Sequence, residues 1–184
     1  MLTEQELMNL KTGVYFKKNN RIGSGCYGTV YNINDNYVVK KVPRRWWKSI
    51  CGIPIVHFRT TFLKFKREVR TTTLMSKHHI SPRILYYSEN DMWYYVMEKL
   101  DLTLEALMKA NKLTSNHIVK LEKLFLKLVK TTYRHDDLHL NNIMWSDKLD
   151  DFRIIDWGIY YRAKKKTHLS KLERTYIREL KSTL

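Results

Sequence analysis

Between Tyr15 and Val42, apolar and polar residues alternate with the two-residue period of half-buried strands, interrupted by tight-turn residues. "GVYF" leads into "NRIGSGCYGTVYNI", "NDN" makes a turn, and "YVVKKV" resumes. This predicts a three-stranded antiparallel meander. Pro43 ends the last strand, because it has no N–H to give to a ladder. The period then changes. In "TTFLKFKREVRTTTLMSK", Phe62, Phe65, Val69 and Leu74 fall near helical spacing with charges opposite, the pattern of an amphipathic helix. "ISPRILYYSENDMWYYVMEKL" returns to strands, two of them around the polar turn "SEND". "TLEALMKANK" predicts a short helix. "SNHIVKLEKLFLKLVKTTY" predicts a longer one, with Ile118, Leu121, Leu124 and Leu128 on one face and Ser115 as its N-cap. Residues 1–12 read as a short helix or arm, and "HLSKLERTYIRELKSTL" as a final helix. Residues 44–60 fit no period, since Gly52 and Pro54 break them. They read as an insertion or ordered loop, with Trp46 and Trp47 either packed on the domain or offered to a partner.

The order is three strands, a helix, two strands, helices, then a polar stretch framed by short strands. The fold class is therefore α+β. At 184 residues with 43% hydrophobic, the chain is long enough for one packed domain and too short for two ordinary ones. Two cysteines, Cys26 and Cys51, argue against a disulfide scaffold and fit a reducing compartment. The N-terminal stretch has early acids and no continuous apolar run, unlike a signal peptide, and no apolar run approaches the ~20 residues of a membrane span. The expectation is a cytoplasmic domain without a transmembrane segment.

Charge narrows the partners. Thirty-four basic residues against 18 acidic give +16, which favours anionic partners such as nucleotide, nucleic acid or an acidic surface. The excess concentrates over residues 41–70, where Glu68 is the lone acid, and over the tail 159–184.

Candidate chemistry sits in three places. Three of the six glycines, Gly23, Gly25 and Gly28, fall in "GSGCYG". A dinucleotide fold would follow that spacing with a helix, but here Val30 and Tyr31 continue as a strand. A glycine turn between antiparallel strands lets backbone N–H groups approach phosphate, and it also describes a flexible hairpin. Further on, Lys40 shares a sheet face with Val38, two residues before it. Glu68 either pairs with lysines on its own helix or reaches Lys40. Finally, "HDDLHLNNIMWSDKLDDFRIIDWG" (135–158) crowds carboxylates and carboxamides between apolar residues. His135, Asp137 and His139 alternate there, but further ligands at zinc or iron spacing do not follow.

Together these residues resemble the protein kinase-like superfamily. "IGSGCYGTV" resembles its glycine-rich loop, "YVVK" its lysine strand, "YVMEKLD" its hinge, "HDDLHLNNIM" its catalytic loop, and "IIDWG" its metal-binding D-F-G with Trp for Phe. The resemblance runs in order from residue 22 to residue 158. It implies a bilobal fold: an antiparallel-sheet N-lobe with one main helix over about 13–98, and a reduced, mostly helical C-lobe over 99–184, all one domain. It implies ATP and Mg²⁺ or Mn²⁺ as cofactors. Ile22, Gly23, Gly25, Gly28, Val30, Val38, Lys40, Met97, Glu98 and Leu100 would then contact ATP, with Val30 and Val38 flanking adenine and Met97 behind it. Asp137, Lys40 and Glu68 would be the catalytic set, and Asn142 and Asp156 the metal ligands. His135 would be structural, packed beneath the loop.

The pattern also departs from the family. Asp136 stands where an arginine usually precedes the catalytic Asp, so activation by loop phosphorylation is not expected. His139 replaces the lysine common in Ser/Thr kinases. No A-P-E follows, and only 26 residues come after Gly158, leaving little for a peptide platform. Such minimal kinases occur among bacterial effectors, viral proteins and a tRNA-modification-linked type; for a viral protein or an effector the expected compartment is the host cytoplasm. The expected function is transfer of the ATP γ-phosphate to Ser/Thr of a protein, with a partner completing the C-lobe. The alternatives are a catalytically silent ATP-binding scaffold, a nucleic-acid-associated kinase, or a small-molecule kinase of the aminoglycoside/choline type. Asp136, Asp147, Asp150 and Asp151 match no motif position and read as loop carboxylates.

Overall fold

A computed structural model of the chain describes residues 2–25, 28–43, 57–90 and 92–163 with positions 175 and 178, residues 57–61 by backbone alone. Of the expected loop over 44–60, residues 44–56 with Trp46 and Trp47 lie outside the described residues, while 57–60 are not loop but the first turn of the helix His57–Ser76. The expected terminal helix also lies outside the described residues apart from positions 175 and 178. The chain divides into two compact units, Met1–Thr71 with Arg83–Lys99, and Thr72–Pro82 with Leu100–Leu184.

The first unit opens with α1 (Glu4–Thr12). Thr3 and Glu6 close a reciprocal capping box at its start, and Gly13, at φ 79°, supplies the left-handed residue that ends it. Then follow β1 (Arg21–Gly25), β2 (Gly28–Asn32), β3 (Tyr37–Val42), α2 (His57–Ser76), β4 (Ile84–Ser88) and β5 (Trp93–Glu98). All pairings are antiparallel, in the order β1-β2-β3-β5-β4. The meander starts at Arg21 rather than at Tyr15. The Phe16 ring is instead packed on Tyr31 and Tyr94, which takes "GVYF" out of the ladder.

The two-residue period sorts this sheet into two faces. Val38, Val42, Trp93, Tyr95 and Met97 meet Phe65 and Val69 of α2. Val39, Tyr94 and Val96 meet Leu10 of α1. Leu10 is wholly buried, a burial that stabilises by about 1.5–3 kcal/mol. Lys41 points to this second face, where its ammonium lies 4.4 Å over the Phe16 ring rather than in bulk solvent.

The second unit holds the last turn of α2, β6 (Leu102–Thr103), α3 (Leu104–Lys109), α4 (Ser115–Lys130), β7 (Tyr133–His135), β8 (Ile143–Ser146), β9 (Asp151–Ile154) and β10 (Tyr160–Arg162). β6-β8-β9 form one antiparallel sheet and β7-β10 another. The amphipathic stripe of α4 buries Ile118, Leu121, Leu124, Phe125 and Leu128 against Trp145, Phe152 and Ile154. Its N-cap is Thr114, not Ser115. The Thr114 hydroxyl accepts from the His117 N–H while His117 Nδ1 accepts from the Thr114 N–H, so the reciprocal box decides the cap.

At the other end of α4, buried Arg134 donates to the carbonyls of Leu128, Thr131 and Tyr133. Three of the loop carboxylates also have structural partners. Asp150 pairs with Lys120 at 2.6 Å, Asp151 with Lys127 at 3.1 Å and Arg153 at 2.9 Å, and Asp147 accepts from Trp145 Nε1 at 2.7 Å. The first two ties fasten α4 to the β8–β9 hairpin. Among the described residues no helix is long and apolar enough to cross a membrane.

Candidate active site

The first unit carries a buried ion pair. Lys40 occupies the face of β3 that also carries Val38 and Val42, and Glu68 lies on the buried stripe of α2 between Phe65 and Thr72. Glu68 is therefore turned away from its own helix's solvent-facing lysines. Lys40 Nζ lies 2.6 Å from Glu68 Oε1, with side chains only 9% and 4% exposed. Two charges taken out of water need each other and further hydrogen bonds to offset their lost hydration. The Tyr95 hydroxyl adds one, donating to the same Oε1 at 2.6 Å. Sequence reasoning missed Tyr95. Strand alternation puts Trp93, Tyr95 and Met97 on one face, but only the β3–β5 register sets Tyr95 opposite Lys40.

The glycines divide by role. A Cβ on Gly28 would lie 2.7 Å from the Lys41 carbonyl oxygen and 3.3 Å from Lys40 Cε, so packing against β3 requires glycine there. Among the described residues, a Cβ at Gly23 would meet Val30 Cβ at 3.9 Å and one at Gly25 would meet nothing within 4 Å. The described residues do not demand glycine at those two positions. Val38 opposes Met97 in the ladder, and Val30 packs on the same cluster. Ile22, on β1, is 56% exposed. The Glu98 N–H donates to the Arg83 carbonyl. Leu100, the first of its segment in the second unit, is buried.

In the second unit the turn Leu140–Asn142 follows Asp137 and brings the chain back on itself. Asp137 is held at both of its peptide groups. Its N–H donates to His135 Nδ1 at 3.2 Å, and its carbonyl accepts from Asn142 Nδ2 at 2.9 Å. Its carboxylate nonetheless remains 52% exposed, 3.8 Å from His139 Nε2. His139 in turn accepts from the Asn141 N–H and caps the turn. Because His135 Nδ1 accepts, its Nε2–H must donate, which it does to the Ile155 carbonyl at 2.9 Å. The ring is neutral in this arrangement. Burial lowers its pKa and outweighs the opposite pull of the Asp156 and Asp137 charges. With both nitrogens committed, His135 cannot ligate a metal.

Asp156 sits just after β9, where the Ile155 N–H donates to the Asn142 carbonyl at 2.9 Å. Its φ of 62° is a conformation that non-glycine residues adopt only where surrounding structure enforces it. Next to it, wholly buried Trp157 donates from Nε1 to the Ile154 carbonyl at 3.1 Å and stacks edge-on with His135. A Trp here serves both packing and hydrogen bonding.

Among the described residues no group of three or more His, Cys, Asp or Glu could hold a metal ion. The remaining donor set is Asn142 and Asp156. Asn142 is 7% exposed, with Nδ2 turned to Asp137, so Oδ1 is the end that can ligate. A carboxamide oxygen and a carboxylate are hard donors, and they fit Mg²⁺ or Mn²⁺.

No protein-family model matches the chain, and no curated protein matches it in sequence. Solved structures do match. WbdD bound to the kinase inhibitor LY294002 is 20% identical with a TM-score of 0.62, over 88% of this chain and 40% of that one. WbdD at 2.2 Å is 19% identical with a TM-score of 0.60 and the same coverage. The chain thus spans about 40% of the length of the proteins it matches. At this identity the likeness shows the fold alone, which is mixed α and β and kinase-like.

Proposed function

We propose that the chain is an ATP- and Mg²⁺-dependent phosphotransferase that phosphorylates Ser or Thr hydroxyls of a protein. The observation that carries this reading is the buried Lys40–Glu68 pair, whose lysine lies on the strand beside the glycine hairpin. A buried cation fixed by a carboxylate is positioned to meet phosphate, and Gly23 and Gly25, whose Cβ positions the described residues leave uncrowded, would let phosphate approach the backbone. Ile22, Val30, Val38 and Met97, with the backbone of Glu98 and Leu100, would form the adenine contacts. WbdD, whose fold this chain resembles, has been solved with a kinase inhibitor, which supports the nucleotide reading.

Asp137 would orient the acceptor hydroxyl and take its proton, its backbone held by His135 and Asn142 while the carboxylate stays accessible. Asn142 and Asp156 would hold the metal. When bound, that ion neutralises the phosphate charge. The basic segments 44–70 and 159–184 would serve an acidic partner surface or nucleic acid.

Transfer of ³²P from γ-labelled Mg²⁺-ATP to generic acceptor proteins tests the proposal, alongside Asp137→Ala and Asp156→Ala. Label on Ser or Thr that disappears in both variants is the expected result. Mg²⁺-dependent ATP binding without transfer would favour a scaffold, and no ATP binding would overturn the reading.

A further inference from the structure

Three candidates stand outside the roles already assigned: the Tyr95 hydroxyl, the His139–Asp137 approach, and the exposed Val119 and Leu126 on α4. The last has nothing to identify what would cover it, and the second is a 3.8 Å approach between exposed groups. Tyr95 is different, being buried, short-bonded and placed at the centre of the ion pair.

We propose that Tyr95 is the positioning residue that holds Glu68 in register with Lys40, so that α2 stays docked in its working position without a separate activating event. This rests on the phosphotransferase reading above. Glu68 Oε1 accepts both from Lys40 Nζ and from the Tyr95 hydroxyl, each at 2.6 Å. An O–H donor at that distance from a carboxylate makes a charge-assisted bond, about twice as strong as a neutral one. The two donors are not equivalent. Lys40 has three protons and would share them with a phosphate, drawing its ammonium partly away from the carboxylate. Tyr95 has a single proton on a ring that cannot follow. It therefore anchors Glu68 while Lys40 is in use.

The ring is itself immobilised. Tyr95 is 2% exposed, and Phe65 of α2 packs on it at 6.4 Å and on Trp93 at 6.2 Å, while Phe62 lies 4.9 Å from Trp93. Helix and strand are thus joined by aromatic contacts in the turns of α2 before Glu68 as well as by the hydroxyl bond. Repositioning α2 would break the bond and separate the rings together, leaving a buried carboxylate short of a donor.

The test is a double-mutant cycle of Tyr95→Phe and Glu68→Ala, read as kcat and KM for ATP, with thermal melts to confirm that each variant folds. Tyr95→Phe keeps the ring and removes only the hydroxyl. It should lower kcat/KM about tenfold, the usual scale for a hydrogen bond to a charged group. In the Glu68→Ala background the same change should cost almost nothing, because a residue acting only through Glu68 has no further effect once Glu68 is gone. Equal losses in both backgrounds would mean that the hydroxyl acts on something other than Glu68 and would overturn the proposal, as would full activity in Tyr95→Phe, the result of a purely packing role. The hydrogen-exchange rate of the Lys40 ammonium protons, followed by NMR in wild type and Tyr95→Phe without nucleotide, is a second readout. Faster exchange in Tyr95→Phe is expected and unchanged exchange refutes the role, whether or not the wild type proves to transfer phosphate or Glu68→Ala proves to fold.

Discussion

The side-chain amide of Asn142 donates to the backbone carbonyl of Asp137, five residues earlier, at 2.9 Å. One carboxamide thereby closes the loop and leaves its oxygen end out of that bond. Asn142→Asp separates these duties, since it keeps a hard oxygen and loses the donor. It should fold and bind Mg²⁺-ATP yet transfer phosphate about 100-fold more slowly, because the root of Asp137 is no longer fixed. Steady-state kinetics beside a nucleotide titration check this, and wild-type turnover in the variant would count against a closing role for Asn142.

Gly25 and Gly28 should behave differently from one another. Gly28→Ala drives a Cβ to 2.7 Å from the Lys41 carbonyl and should destabilise by about 1–3 kcal/mol, the usual range for overpacking. Gly25→Ala meets none of the described residues within 4 Å and should melt like wild type, while weakening ATP binding if phosphate approaches the backbone there. Urea unfolding and an ATP titration on both variants separate the two effects.

Removing one member of the buried ion pair should cost more than any surface change. Lys40→Met leaves Glu68 with Tyr95 but without its compensating charge, and should destabilise by about 3–5 kcal/mol. Denaturant midpoints at constant m-value provide the measurement. A loss below 1 kcal/mol would mean that Glu68 is protonated or rehydrated when alone.

Acid should destabilise the fold through two histidines. Burial lowers the pKa of both His117 and His135 from the ordinary 6.5. The folded chain then binds fewer protons than the unfolded one, so this contribution is complete above about pH 6.5 and is lost as pH falls below it. Protonation would also take from His117 the Nδ1 acceptor used by the Thr114 N–H. His117→Gln keeps an acceptor in the capping box and cannot titrate. Its melting temperature should therefore fall less between pH 7.5 and 5.5 than that of wild type. Equal falls would remove His117 from the account.

By itself the sequence determined the elements and their faces, because period-two and helical spacing are local properties. Val38, Lys40 and Val42 alternate whatever β3 pairs with, and Ile118, Leu121, Leu124 and Leu128 make a stripe whatever α4 packs on. Partners across the chain were not legible in the same way. Glu68 read equally well as a surface partner of helical lysines, and only the docking of α2 on β5 turned it to Lys40 and Tyr95. "GVYF" has strand composition, yet Phe16 is spent on Tyr31 and Tyr94. Ser115 and Thr114 are equivalent caps by propensity, and the Thr114–His117 box chose between them. That His135 packs beneath the loop follows the family resemblance, but its tautomer depends on Ile155, twenty residues away. Spacing records which residues can share a face. Register, docking and the commitment of each donor are settled only when distant segments compete for the same buried hydrogen bonds.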